Sequence, residues 1–114
     1  LIDRFVDSTI AYQHYGMGIH KKLISDLNKL ILKRIKPDFT FINIVNMKNL
    51  KIRLNKRSNK NRYDDFKIEF YKKVQKGYIK LSRNNKKYMI INSNNEITSN
   101  KKIILKKIKS LIKL

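Results

Sequence analysis

The chain contains no cysteine and no tryptophan, a single proline and only three glycines. Without thiols, neither a disulfide framework nor a thiolate metal site is available, and a reducing, cytoplasmic setting is the expectation. With so few glycines, no phosphate loop of the form Gly-x-x-x-x-Gly-Lys-Ser/Thr occurs anywhere in the sequence. No run of eighteen apolar residues exists, and the opening Leu1-Ile2-Asp3-Arg4 lacks the features of a signal peptide, so no membrane partner is expected. Acidic residues are scarce too. Eight Asp and Glu stand against 28 Lys and Arg in 114 residues, a formal charge of +20. Such a surface attracts any polyanion through counterion release, so charge alone names no partner. The excess is mostly lysine, accompanied by abundant asparagine and isoleucine, a combination that an AT-rich coding sequence produces without selection for a ligand.

What is present suffices for one small domain: 41% of the residues are hydrophobic. Leu1-Ile2 reads as the tail of a buried strand, and an apolar run that reaches a charged pair after two residues looks like a truncated strand in a fragment. Asp7 or Ser8 is placed to cap a short helix through Ile10, Ala11 and Tyr12, interrupted by Gly16 and Gly18. The apolar positions Ile19, Leu23, Ile24, Leu27, Leu30, Ile31 and Ile35 form a helical stripe ending near Pro37. That stripe is expected to be buried either against a sheet or in a homodimer.

Phe39 to Val45 is aromatic and β-branched, as an interior parallel strand would be. Asn46 can cap a helix carrying Leu50 and Ile52 toward Arg57, after which the polar run from Ser58 to Asn61 reads as a loop. Asp64-Asp65 begin a helix bearing Phe66, Phe70, Val74 and Leu81, with Tyr71 and Tyr78 beside that face. Tyr88 to Ile91 forms a short strand, and Ile103, Ile104, Ile108, Leu111 and Ile112 mark a closing helix. The alternation argues for a three-layer α/β fold with a parallel sheet, although two strands and a stub are too few to cover all these helices.

The stretch from Leu1 to Gln13 is the most informative. An Asp-Arg pair at the C-terminal end of a parallel strand offers a positive fork for phosphate oxygens and an adjacent carboxylate for a metal, water or acceptor. Asp3-Arg4-Phe5, followed by Ser8, Ala11-Tyr12 and Gln13, resembles the thymidylate kinase signature. The likeness continues through Tyr15-Gly16-Met17-Gly18-Ile19, Pro37-Asp38-Phe39-Thr40, Arg53, Arg57, Asn61-Arg62-Tyr63 and Gly77-Tyr78. It departs at His14, Met17 and His20, where the family often has Gly, Arg and Asp, and at Asn43 or Ile44, where an aspartate is usual.

The resemblance implies a P-loop nucleoside monophosphate kinase-like fold whose N-terminal strands and P-loop are missing. Residues 1–114 would be a partial kinase domain, with an acceptor motif at 1–18 and a lid-like segment at 54–64. It implies phosphoryl transfer from ATP to the 5′-phosphate of dTMP with Mg²⁺, in a homodimeric parent, the fragment itself being inactive. Arg4 would grip the acceptor phosphate and Asp3 the acceptor and magnesium environment. Phe5, Ser8, Tyr12 and Gln13 would line the nucleoside pocket. Arg57, Lys60 and Arg62 would close over the phosphates, while Arg53 is either a further contact or an exposed helix arginine. Two other readings stay open: a decayed or split kinase, and a basic nucleic-acid-binding domain on the same fold. Tyr71, Tyr78 and Tyr88 are expected at core edges rather than on nucleobases, the C-terminal lysines on a solvated helix face, and His14 and His20 as ordinary pocket-wall or surface residues.

Overall fold

A computed structural model describes residues 1–32, 35–57 and 67–113. Its elements run α1 (Val6–Thr9), a π-helix (Ile10–Gly16), α2 (Lys21–Leu32), β1 (Thr40–Ile44), α3 (Met47–Lys56), α4 (Ile68–Ser82), β2 (Tyr88–Asn92) and α5 (Ile97–Leu111). The chain is an α/β fold with a limited sheet: β1 and β2 pair in parallel, Thr40 opposite Tyr88 through Ile44 opposite Asn92. Both strands fall where the β-branched runs put them.

Several expectations are corrected. Leu1 and Ile2 are exposed and form no strand, because among the described residues the only ladder is the β1–β2 pair and no neighbour takes up their backbone groups. Asp7 and Ser8 do not cap the first helix. It starts one residue ahead of them, with Phe5 at the N-cap and no side-chain cap. The segment ends at Gly16, with Gly18 at φ 80° in the turn that follows, as the two glycines suggest, but its turns have by then widened to a π-helix. α2 is shorter than its apolar stripe, which also includes Ile19 and Ile35 outside the helix. The start of the α4 helix at Asp64-Asp65, with Phe66, lies outside the described residues.

The π-helix is closely packed. α4 lies against the π-helix, and Gly16 and Gly77 are the close-approach points. A Cβ at Gly77 would sit 2.6 Å from the Tyr15 ring, and one at Gly16 would sit 2.5 Å from Phe70 and 2.9 Å from Val74. Tyr71, Val74 and Gly77 are the buried residues of α4, so Tyr71 belongs to its core face rather than beside it. With Ala11, Ile24, Ile42 and Ile91 they complete the buried core of the described residues.

α3 is capped as expected: the Asn46 side chain accepts from the Asn49 N–H at 2.8 Å. Asn94, in the turn after β2, accepts from the Asn46 N–H at 3.1 Å and from Asn49 Nδ2 at 2.9 Å, tying that cap to the neighbouring strand at the same end of the sheet. Gln75 of α4 brackets the end of β1, accepting from the Val45 N–H at 2.8 Å and donating to the Val45 carbonyl at 2.7 Å. Asn46→Ala is expected to lower stability by about 1 kcal/mol, read as a shift in the urea midpoint with an unchanged slope.

α2 has an open face. Leu23, Leu27, Leu30 and Ile31 are exposed, the last two at 74% and 72%. Neither the sheet nor any other described element covers this stripe.

Candidate acceptor site

The turn that carries Arg4 is bent by its own backbone. Arg4 has φ 62°, in the left-handed region that a residue with a Cβ enters at a cost of about 1–2 kcal/mol. This conformation lifts the side chain back over the following helix. The Arg4 guanidinium carbon lies 5.1 Å from the centre of the Tyr12 ring, and Nη2 donates to the Tyr12 hydroxyl at 3.4 Å. Tyr12 is wedged in turn between aromatic neighbours, edge-on to Phe70 at 5.9 Å and to Tyr78 at 6.5 Å. The cation is thus held on a ring that is itself fixed by α4.

Beside it is a cavity of about 330 Å³ lined by Arg4, Phe5, Ser8, Thr9, Asn28 and Ile31 among others. Arg4, Phe5 and Ser8 of the expected set therefore share one concavity, and Tyr12 supports it from behind. Gln13 follows on the π-helix, its carbonyl accepting from the Ile19 N–H at 2.9 Å. Asp3 is exposed next to Arg4. His14 reaches the Ile19 carbonyl through Nδ1 at 2.7 Å and so braces the turn in which Gly18 takes φ 80°.

Two tyrosines from the distal half anchor this segment, and the sequence alone assigned neither of them to it. The Tyr88 hydroxyl at the start of β2 donates to Asp7 Oδ2 at 2.7 Å across 81 positions of sequence. Tyr78 of α4 is edge-on to Tyr12 on the same segment, with the Ser8 side chain near its phenol. Burial raises the pKa of both phenols; at Tyr88 the hydrogen bond to Asp7 and that carboxylate's charge raise it further, whereas at Tyr78 the Ser8 side chain opposes the rise. A folded-state pKa above the unfolded value of about 10 means that unfolding releases protons at alkaline pH. The stabilisation is whole below about pH 10 and is lost as pH rises through the folded pKa values. Absorbance titration of phenolate is expected to show late-ionising tyrosines, one fewer in Tyr88→Phe, with stability falling above about pH 10.

The expected lid is only partly within view. Leu54 to Lys56 form the last turn of α3 and Arg57 its exposed C-cap, while Lys60 and Arg62 lie outside the described residues. Arg53 donates to the Ser93 carbonyl at 2.6 Å, bracing α3 against the turn after β2. Among the described residues no three His, Asp or Glu side chains gather to hold a metal. No described helix is long and apolar enough to cross a membrane. Tyr71, Tyr78 and Tyr88 are engaged in packing and hydrogen bonds within the chain, and Lys107 of α5 stacks on the Phe39 ring at 4.8 Å.

A parallel α/β chain that presents an arginine from a strained turn at the mouth of a cavity has the make-up of a phosphate-handling protein. The comparisons carry this to a family. The thymidylate kinase family model matches residues 1–104, and the chain belongs to that family. A thymidylate kinase of Wolbachia pipientis is 46% identical over 83 residues, covering 72% of this chain and 40% of that one. One from a Sulfurihydrogenibium species is 36% identical over 110 residues, covering 96% and 53%. The crystal structure of thymidylate kinase from Ehrlichia chaffeensis superposes with a TM-score of 0.61 at 33% identity, covering 96% of this chain and 48% of that one. The chain spans about half the length of the relatives it matches.

Proposed function

We propose that this chain is the acceptor side of a dTMP kinase: Arg4 binds the 5′-phosphate of dTMP, and that phosphate receives the γ-phosphoryl of ATP, leaving ADP, when a donor half is joined to the chain. The observation that carries the reading is Arg4 itself, held by a left-handed backbone and the Tyr12 ring at the rim of the cavity. Pre-positioning a guanidinium reduces the entropy lost when it grips a phosphate, and its planar fork matches two phosphate oxygens at once. Phe5 and Ser8 line the same cavity and give the nucleoside an apolar wall and a hydroxyl. Tyr12 and Gln13 hold the site from the π-helix, and the Tyr88 bond to Asp7 anchors α1 just ahead of it.

Mg²⁺ fits this donor set in a restricted way. It commonly keeps several waters and is held by one or two carboxylates plus substrate phosphates, so the single exposed carboxylate of Asp3 suits an ion that arrives with the nucleotide. When bound, it neutralises charge on the transferring phosphoryl group. Arg57 with Arg62 and Lys60 would close over the phosphates, completing a 54–64 lid within a single 1–114 unit. Arg53, bound to Ser93, serves the scaffold. The fold reading that goes with this function is an incomplete P-loop nucleoside monophosphate kinase.

The test is an acceptor assay on this chain joined to the portion of the E. chaffeensis kinase that it does not match. Formation of dTDP from dTMP and ATP, with little product from dCMP or AMP, is expected. No turnover of dTMP by the folded fusion contradicts the reading. The chain by itself is expected to be silent, because it has no loop to cradle the ATP phosphates.

A further inference from the structure

The apolar stripe that periodicity marks on α2 is not the face that the helix turns to the rest of the molecule. Leu23, Leu27 and Leu30 are exposed, whereas the buried residue of the helix is Ile24. One turn further on, Asn28 stands on the same face as Ile24 and is half-buried. Asn28, Ile31 and Leu32, at the spacing of a single helix face, line the Arg4 cavity. An amide therefore occupies a place on the inward face of α2 where an aliphatic side chain would pack.

That amide is incompletely bonded. Asn28 Nδ2 is out of contact with solvent and has no hydrogen-bond partner. Burying an amide donor without a partner costs free energy that an apolar side chain of similar size does not lose. The cavity beside it gathers donors from two elements. Arg4, Ser8 and Thr9 bring a guanidinium and two hydroxyls from the α1 segment, Asn28 brings its amide from α2, and no carboxylate is among the lining residues. Walls that carry one cation and several donors, with no acid between them, suit an anionic oxygen. The terminal torsion of an asparagine is soft, so Nδ2 can turn from the wall toward the cavity, and it breaks no hydrogen bond of its own in doing so.

We infer that Asn28 is a second phosphate-binding residue of the acceptor site: its Nδ2 donates to an oxygen of the dTMP 5′-phosphate that the Arg4 fork leaves free. The ligand's identity rests on the proposed function, and the choice of residue rests on the unpaired donor at the cavity wall. α2 thereby supplies a part of the site that lies outside the motif from Asp3 to Gln13. The unpaired amide destabilises the empty chain, and the bound phosphate offsets that loss.

The experiment titrates the chain, Asn28→Leu and Asn28→Asp with dTMP and with thymidine, which lacks the phosphate, and unfolds each in urea. Leucine is close to asparagine in size and has no donor to leave unpaired. Asn28→Leu is expected to raise the urea midpoint, to weaken dTMP binding about tenfold and to leave thymidine binding within about twofold. Asn28→Asp keeps the shape, loses the donor and sets a negative charge toward the phosphate, so it should weaken dTMP binding more than Asn28→Leu does. A lowered midpoint in Asn28→Leu would show that the amide is already bonded within the fold, and it overturns the inference. Unchanged dTMP affinity in either folded variant overturns it as well. Equal loss of dTMP and thymidine does the same, because Asn28 would then serve the nucleoside or the shape of the cavity. Arg4→Ala, titrated alongside, separates this inference from the reading beneath it. If Arg4→Ala weakens dTMP binding and neither Asn28 variant does, Asn28 alone is excluded and the acceptor reading stands. If the Asn28 variants weaken it and Arg4→Ala does not, Asn28 stands and the role given to Arg4 falls.

Discussion

Replacing Arg4 with alanine is expected to weaken dTMP binding by about 100-fold, which corresponds to roughly 2.7 kcal/mol. Two charge-assisted hydrogen bonds to phosphate at about 1.5–3 kcal/mol each set that scale, reduced because the nucleoside contacts remain. The guanidinium is exposed and lies outside the core, so secondary structure and the unfolding midpoint should hardly change. Arg4→Lys keeps the charge and loses the fork, and it should recover only part of the affinity. Arg4→Gly separates the two roles of the position. Without a Cβ, the left-handed backbone at φ 62° costs nothing sterically, so this variant should be more stable than Arg4→Ala by about 1 kcal/mol while binding no better. A titration of labelled dTMP with thermal melts of the three variants reads both effects.

The second large effect concerns the seam between the π-helix and α4. Gly77→Ala puts a methyl 2.6 Å from the Tyr15 ring, and the atoms it meets include the ring's own Cβ, close to the backbone. The neighbour cannot swing away cheaply, and overpacking of this kind costs about 1–3 kcal/mol. The buried set among the described residues is small, so this loss is expected to lower the unfolding midpoint sharply. Gly16→Ala meets Phe70 at 2.5 Å and should be nearly as damaging. Gly18→Ala meets nothing within 4 Å, and only its φ of 80° opposes the change, at about 1–2 kcal/mol. The order Gly77 and Gly16 before Gly18, read by urea denaturation, is the expected result. An equal loss at all three would mean that backbone conformation, not the helix contact, is what the glycines serve.

Local chemistry in this sequence proved easy to read. The Asn46 cap, both strands and the α5 periodicity follow from propensity and spacing, because each depends on neighbours a few residues away. The Asp3-Arg4 to Gln13 motif was legible as a family signature, and the family match covers it. What the sequence hid was nonlocal or backbone-borne. Nothing about an arginine announces a left-handed φ, and seven residues are too few to tell a π-helix from an α-helix by period. The Tyr88–Asp7 bond joins groups 81 positions apart, and only the pairing of β2 with β1 brings Tyr88 to that place. Leu1-Ile2 has strand chemistry but no strand, since β structure depends on a partner to receive its hydrogen bonds. The polar positions at Asn43 and Asn92 gain a meaning from the ladder: Asn43 is exposed on β1, and the Asn92 carbonyl at the end of β2 accepts from Asn100 Nδ2.

The central claim is that Arg4 and its cavity form a dTMP acceptor site. Amide chemical-shift mapping of the 114-residue chain during titration with dTMP tests it most directly. The account predicts saturable shifts centred on Arg4, Phe5, Ser8, Tyr12 and Gln13, retained at moderate salt and lost in Arg4→Ala. Shifts spread over the lysines of α5 and α4, matched by inorganic phosphate and abolished by salt, would contradict it and leave a basic surface that binds anions without choosing among them.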